Sequence, residues 1–131
     1  MKNKDKHLII VRGIPGSGKS SFASLLGRAI CTADDWHIRK GVYDWKPENV
    51  GKAHDWCQRK CRRFMKAGIE RIIIANTSTT KKEFNPYIQM AKHYGYKVYS
   101  VITENRHGGE SLHEVPETTL EKMKNRFEII L

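Results

Sequence analysis

Eight consecutive residues, 13–20, combine three glycines with a lysine and a serine at a spacing that suits phosphate chemistry. They read GIPGSGKS and match G-x-x-x-x-G-K-[ST], the phosphate-binding loop. Glycines let backbone N–H groups approach phosphate oxygens where a Cβ would collide. Lys19 supplies a positive charge for the outer phosphates, and the Ser20 hydroxyl is placed to ligate Mg²⁺. The residues predicted to hold a nucleoside triphosphate are Gly13, Pro15, Gly16, Ser17, Gly18, Lys19, Ser20 and Ser21, with Ser20 also as metal ligand.

The flanks of this loop agree with the prediction. Residues 7–11 are a short run rich in β-branched residues, typical of a buried parallel strand, and apolar residues recur at helical spacing from Phe22 to Ala29. A glycine-rich turn between two elements would explain the glycines. It would not explain Gly18, Lys19 and Ser20 in the required order between a strand and a helix.

Two further polar clusters follow predicted strands. Asp34 and Asp35 end a strand over residues 29–33, and Asn76 and Thr77 follow the apolar strand Arg71–Ala75. Ligands of an open parallel sheet bind beyond the carboxyl ends of its strands. A carboxylate there either helps to hold Mg²⁺ or accepts the proton of an attacking hydroxyl, while its neighbour caps the next helix.

The sequence argues against two classes of nucleotide-binding protein. The strand Arg71–Ala75 is followed by Asn76 and lacks the terminal Asp that helps to hold Mg²⁺ in many such folds, which argues against a motor-type ATPase. No N-K-x-D signature of a GTPase is present. A small kinase remains.

Strand and helix patterns alternate along the chain. Helices are predicted over residues 47–66, Lys81–Tyr94 and from Pro116 onward, a strand over residues 96–102, a short helix over residues 36–40 and a loop through residues 41–45. We therefore predict one domain over residues 1–131: an α/β, three-layer P-loop NTPase fold with a mainly parallel sheet of four to five strands. Residues 1–6 form a charged leader. Residues 103–115 form a lid loop, in which Arg106 would act on the phosphates.

The charge balance favours a polyanionic partner. The chain has 24 Lys and Arg against 14 Asp and Glu, a formal net charge of +10, so nucleic acid is the first candidate and an acidic surface the second. On the helix over residues 47–66, four basic residues share the face opposite the apolar one, which favours a solvated face over a nucleic-acid track. They are Lys52, Arg59, Arg63 and Lys66.

The spacing of the cysteines and the hydropathy of the sequence predict the cellular compartment of the protein. The three cysteines include no C-x-x-C pair, and Cys57 and Cys61 lie four residues apart, as small core residues on one helix face do. His54, at the margin of that face, is predicted to be a core histidine. No secretory signal or membrane-length apolar run is present, so we expect a soluble, cytoplasmic protein that does not bind membranes.

An ordered set of motifs resembles a known family. The set is Gly13 to Ser20, Ala33-Asp34-Asp35, Ala53-His54-x-x-Cys57, Ile74-Ala75-Asn76-Thr77-x-Thr79, Pro86-Tyr87 with Gly95-Tyr96, and Asn105-Arg106-His107-Gly108 before Val115-Pro116. It is similar to the phage-type polynucleotide 5′-kinases and their AAA_33 P-loop relatives, including the kinase-like domains of Nedd4-binding-protein-2-type proteins. The similarity extends over residues 7–127.

The resemblance implies an activity and residue roles. It implies transfer of the ATP γ-phosphate to the 5′-hydroxyl of RNA or DNA, with Asp34 as general base and with Lys19 and the lid residue Arg106 as catalytic cations. Further residues would bind the acceptor: Asp35, His37, Arg39, Asn76 and Thr77.

Two alternatives stay open. One is a kinase for a small hydroxylated metabolite, which the fold permits, and the other is an ATP-binding module with vestigial turnover. The sequence has neither the D-x-D-G-T of a phosphatase nor the K-x-D-G of a nucleotidyl ligase, so an end-healing or sealing partner would be a separate chain or a domain that this sequence does not include.

Overall fold

The computed structural model describes residues 5–14, 17–39, 41–78, 80–103 and 117–127. The strands in these ranges are β1 (His7–Arg12), β2 (Ile30–Cys31), β3 (Ile38–Arg39), β4 (Val42–Tyr43), β5 (Arg71–Ala75) and β6 (Lys97–Ile102). The α-helices are α1 (Lys19–Leu26), α2 (Val50–Lys66), α3 (Lys81–Tyr94) and α4 (Glu117–Arg126). Two 3₁₀ helices, Ala33–His37 and Pro47–Asn49, precede β3 and α2.

The main sheet has four parallel strands in the order β2-β5-β1-β6. Strand β1 lies between β5 and β6, with Ile10 opposite Ile74 on one side and Ser100 on the other. The predicted α/β class with a mainly parallel sheet is confirmed. All carboxyl ends therefore meet at one edge, where the phosphate-binding loop follows β1.

Side chains of β5 alternate between two apolar clusters, which are the two faces of the sheet. Ile73 and Ala75 pack with Ala23 of α1, whereas Ile72 and Ile74 pack with α2 and α3. Helix α1 therefore covers one face and the α2–α3 pair covers the other. This is the predicted three-layer arrangement.

Several element bounds agree with the sequence prediction and others do not. Strand β5 and helix α3 have the predicted bounds. The predicted helix over residues 36–40 and loop over residues 41–45 were wrong, because a 3₁₀ helix ends at His37 and an antiparallel hairpin, β3–β4, follows it around Gly41 (φ 78°). His54 is exposed, so its predicted core position was also wrong.

No helix in the described part of the chain is long and apolar enough to cross a membrane. The predicted lid lies outside the described residues except for Thr103, and so do residues 1–4 of the predicted leader.

Candidate active site

The phosphate-binding loop is held at both ends by the sheet. Gly18 caps α1 with φ 91°, a left-handed conformation that glycine adopts without strain. A Cβ at Gly13 would collide with the Ser17 and Thr103 hydroxyls, which lie 2.7 Å apart. Ser17 is thus hydrogen-bonded to the residue that follows β6, while Ser20 and Ser21 are exposed on the first turn of α1. Pro15 and Gly16, also predicted to bind nucleotide, lie outside the described residues.

Lys19 folds back over this loop. Its Nζ donates a hydrogen bond to the Ile14 carbonyl at 3.2 Å. Burial lowers the pKa of Lys19 to about 8, and the negative charge of Asp34 opposes that shift. The predicted catalytic lysine and carboxylate therefore lie within electrostatic range of each other, at the carboxyl edge of the sheet.

Asp34 lies in the first turn of the 3₁₀ helix Ala33–His37. The Thr32 hydroxyl accepts a hydrogen bond from the Asp34 N–H at 3.3 Å, so Thr32 caps this helix instead of either aspartate. Both Asp34 and Asp35 are exposed. The Tyr43 hydroxyl, from β4, donates to Asp34 Oδ1 at 3.4 Å. The hairpin thus bounds one side of the carboxylate.

Asn76 connects the end of β5 to the segment that carries Asp34. Its Oδ1 accepts a hydrogen bond from the Ala33 N–H at 2.8 Å, and its Nδ2 donates to Cys57 Sγ at 3.6 Å and to the Tyr87 hydroxyl at 3.5 Å. Asn76 is 7% exposed. Its amide therefore holds protein groups in this structure, contrary to the predicted contact with substrate.

The two residues after Asn76 anchor the phosphate-binding loop. The Thr77 carbonyl accepts a hydrogen bond from the Gly13 N–H at 3.2 Å. Ser78 adopts φ 48°, and its carbonyl accepts from Arg12 Nε at 2.9 Å. The buried Arg12 guanidinium also stacks on the rings of Phe84 and Phe127, with its carbon 4.3 and 4.9 Å from their centroids.

His37 lies inside the hairpin region and not on its surface. It is 3% exposed, and its ring centroid lies 5.4 Å from that of Trp36 and 6.0 Å from that of Tyr43. A buried imidazole offers no surface to an acceptor phosphate, contrary to the prediction for His37. The side chains of Arg39 and Arg106 lie outside the part of the chain that is described.

The three cysteines are buried beneath this edge of the sheet. Burial raises the pKa of the Cys57 thiol, and a hydrogen bond with Cys61, together with burial, raises that of Cys31. The Cys31 and Cys57 thiols are therefore protonated, and all three side chains are shielded from solvent, as expected of core residues. All three are free cysteines.

The site offers oxygen donors of the kind that Mg²⁺ prefers. The described residues contain no group of three His, Cys, Asp or Glu side chains that could hold a metal by themselves. Ser20 is exposed and follows Lys19 on the first turn of α1, and the exposed Asp34 lies near enough to Lys19 for its charge to act on that residue. These hard donors fit a Mg²⁺ that takes its remaining ligands from phosphates and water.

Sequence reasoning missed the roles of Arg12 and Thr103 at this edge and the contacts through which Tyr43 and Ser78 shape it. One signal was present, because Arg12 is a charged residue at the end of a strand that is otherwise apolar. The contacts of the other three depend on residues distant in sequence, and local patterns carry no such information.

Comparison with known proteins identifies the family of this chain. The AAA_33 family, described as an AAA domain, matches residues 8–130. Human NEDD4-binding protein 2 is 34% identical over 96 residues, which is 70% of this chain and 5% of that protein. The chain therefore corresponds to a small part of the relative it matches.

Two solved structures share the fold. The Pnkp1/Rnl/Hen1 complex superposes with a TM-score of 0.62 at 18% identity, covering 93% of this chain and 40% of the other. A gluconokinase from Sinorhizobium meliloti 1021 gives 0.58 at 16% identity, covering 96% and 77%. With a family match over residues 8–130 and a fold shared with these structures, the chain belongs to the AAA_33 family.

Proposed function

We propose that this chain transfers the γ-phosphate of ATP to the 5′-hydroxyl end of a polynucleotide. The observation that carries the proposal is that Lys19 and Asp34 both lie at the carboxyl edge of the sheet, near enough for the Asp34 charge to raise the pKa of Lys19 against the effect of burial. A cation for the phosphates and a carboxylate for the acceptor hydroxyl are two of the parts that recur in the active sites of kinases.

The phosphate-binding loop and Lys19 would hold the outer phosphates of ATP. Gly13 and Gly18 would let backbone N–H groups approach the phosphates. The Lys19 ammonium would exchange its hydrogen bond to the Ile14 carbonyl for contacts with phosphate oxygens. A bound Mg²⁺, held by Ser20 and the phosphates, would neutralise charge on the phosphates. Pro15, Gly16, Ser17 and Ser21 complete the proposed cradle.

Asp34 would act as general base. As the acceptor oxygen attacks the γ-phosphorus in line, its proton passes to Asp34 Oδ, the new P–O bond forms and the bond to the β-phosphate oxygen breaks, which releases ADP. Tyr43 keeps the carboxylate in place by donating to Oδ1. Arg106 would add positive charge during transfer, as the resemblance implies.

The acceptor would enter beside the hairpin. Asp35 and Thr77 border this edge, and Trp45 is half exposed next to the buried His37, so Trp45 can stack on the first base. Asn76 and His37 would support this surface from within. Arg39 would contact an acceptor phosphate. The formal charge of +10 and the resemblance to polynucleotide kinases support nucleic acid as the acceptor class.

One experiment tests the proposal directly. The chain is incubated with labelled ATP and Mg²⁺, with 5′-hydroxyl RNA, 5′-hydroxyl DNA and a pool of small hydroxylated metabolites offered in parallel. We expect label on an oligonucleotide. Label on a metabolite alone would identify a small-molecule kinase, and bound ATP without any transfer would identify a nucleotide-binding module.

A further inference from the structure

Helix α2 has an unusually basic outer face. Its 17 residues contain six Lys or Arg and one Asp, so this one helix contributes +5 to the formal net charge of +10. Four of its exposed cations lie within about 60° of one another around the helix axis. We call them the α2 basic stripe: Lys52, Arg59, Arg63 and Lys66.

The stripe lies opposite the buried face of α2. Ala53, Cys57 and Cys61 are fully buried against the sheet, about half a turn away from the stripe. Lys60 lies between the two faces, with its Nζ over the rings of Trp56 and Phe64. The stripe cations therefore have no packing role comparable to that of Lys60.

Nor does the stripe form ion pairs within the described residues. The salt bridges of this part of the chain join Lys46 to Asp44 and Lys97 to Asp5. The only acid of α2, Asp55, is exposed and pairs with no stripe residue. Like charges four residues apart, such as Arg59 and Arg63, destabilise a helix. The sequence pattern alone favours a solvated face for these residues, but an anionic ligand outside the chain would relieve this repulsion, so the stripe also has the charge of a binding surface.

The position of α2 connects the stripe to the active site. In chain order, helix α2 follows the hairpin and precedes β5, which is parallel to β2. The 3₁₀ helix that carries Asp34 packs against α2. The Lys52 end of the stripe therefore lies at the carboxyl edge of the sheet, and the Lys66 end lies at the opposite edge. At 1.5 Å per residue the stripe is about 21 Å long.

We infer that the α2 basic stripe binds the sugar–phosphate backbone of the acceptor strand beyond its 5′-terminal nucleotide. This inference rests on the proposed function. A length of about 21 Å matches about six phosphates of a strand that rises 3.4 Å per phosphate, and fewer of an extended strand. Because the stripe offers only flexible cations, it would recognise length and charge and not sequence.

The test compares acceptors of two lengths in the parent and in Arg59→Glu/Arg63→Glu. A 5′-hydroxyl dinucleotide reaches Asp34 but not the stripe, whereas a 12-mer reaches both. In the parent we expect a lower KM for the 12-mer. The double variant should raise the KM for the 12-mer about tenfold. It should leave kcat for the 12-mer and both kinetic constants for the dinucleotide unchanged. It should also reduce the salt slope of 12-mer binding by about 0.7 for each phosphate that the variant no longer neutralises.

Two variants serve as controls. Lys82→Glu/Lys92→Glu makes the same change of charge on exposed residues of α3 and should leave the KM for the 12-mer near that of the parent. Asp55→Asn removes the one negative charge of α2 and should lower the KM for the 12-mer. An effect of the α3 variant equal to that of the stripe variant would overturn the inference and indicate net charge alone.

Failure of the inference differs from failure of the proposed function. If the parent phosphorylates the dinucleotide and the 12-mer with equal KM values, the inference about the stripe is overturned and the proposed kinase activity is retained. If the parent phosphorylates no oligonucleotide, binding of a 3′-fluorescent 12-mer is measured by anisotropy. Loss of binding in the stripe variant would then support the stripe alone. Tighter binding of a 12-residue poly-glutamate would overturn the inference and indicate an acidic protein partner.

Discussion

At the residue scale, Asp34 and Asp35 are adjacent, both exposed and different in their contacts. Only Asp34 accepts a hydrogen bond from Tyr43 and acts on the charge of Lys19. We expect Asp34→Asn to lower kcat by about 10²–10⁴-fold, because it deletes the proposed general base. ATP affinity at pH 7 should stay near the parent value, since the phosphate cradle is unchanged.

Asp35→Asn is the matched control for that variant. It removes the same charge one residue along the chain and should be mild. Initial rates with a saturating acceptor and equilibrium binding of ATP measure the two quantities separately. If Asp35→Asn were the crippling change, the assignment of the base would be reversed.

Lys19 provides a second prediction, on the pH dependence of nucleotide binding. Its pKa of about 8 in the free protein lies below the ordinary 10.5, since burial disfavours the charged form. Bound phosphates favour the charged form, so ATP affinity should be constant below pH 8 and fall above it by up to about tenfold per unit. The stability of the free chain changes in the opposite sense. Between pH 8 and 10.5 the unfolded chain binds more protons, so the free energy of unfolding rises with pH.

Isothermal titration between about pH 7.5 and 9.5 measures this dependence, in a range where phosphate, with a second pKa near 6, is already ionised. Lys19→Arg keeps its charge throughout and should give an affinity that does not change with pH. An affinity of the parent that is equally flat would show that Lys19 does not contact the phosphates in their charged form.

At the element scale, the β3–β4 hairpin supports the site through Tyr43. Burial, with a contribution from the charge of Asp34, raises the pKa of Tyr43 to about 12, so its phenol remains a donor at every assay pH. The 3.4 Å hydrogen bond to Asp34 is long, and such bonds tighten when substrate binds. Tyr43→Phe should lower kcat about three- to tenfold, by the same factor at each pH, with ATP affinity unchanged.

Tyr99→Phe is the control, because Tyr99 is a half-exposed tyrosine on β6 that contacts His7. It should leave kcat unaltered. The measurement is a pH–rate profile for all three proteins. An unchanged kcat in Tyr43→Phe would remove the hairpin from the catalytic site.

The hairpin also shows what the sequence could and could not predict. The run of isoleucines in β5 and the glycine after α3 have strong local signals, and both elements were predicted to the residue. Strands of two residues, such as Ile38–Arg39 and Val42–Tyr43, are too short for a period to emerge. His37 fits the same explanation, because its burial is decided by rings from a hairpin that the sequence did not reveal.

Asn76 shows the same difference within the site. Its position at the end of β5 followed from the sequence, but its role did not. Its three hydrogen-bond partners are Ala33, Cys57 of α2 and Tyr87 of α3, which meet only in the folded chain. The phosphate-binding loop could be predicted because its chemistry lies within eight consecutive residues.

At the scale of the whole molecule, the phosphate-binding loop is connected to three of the four strands of the main sheet. The Gly13 N–H donates a hydrogen bond to the carbonyl of Thr77, which follows β5. Thr103, which follows β6, donates its N–H to the Arg12 carbonyl at 2.8 Å, and its hydroxyl is hydrogen-bonded to that of Ser17. A ligand that orders this loop should therefore stabilise the entire sheet, and thermal unfolding should report nucleotide binding.

The expected shift can be estimated. A ligand at 100 times its Kd stabilises the native state by about 2.7 kcal/mol, which corresponds to about 10 °C in Tm for a domain of this size. We expect ATP with Mg²⁺ to raise the Tm of the parent by that amount and to have almost no effect on Lys19→Ala at the same concentration. Lys97→Ala is the control, because Lys97 pairs with Asp5 at the other end of β6. Scanning calorimetry with and without ATP measures the shifts. An equal shift in the parent and in Lys19→Ala would mean that ATP binds elsewhere on the molecule, and the phosphate-binding loop would then lose its proposed role.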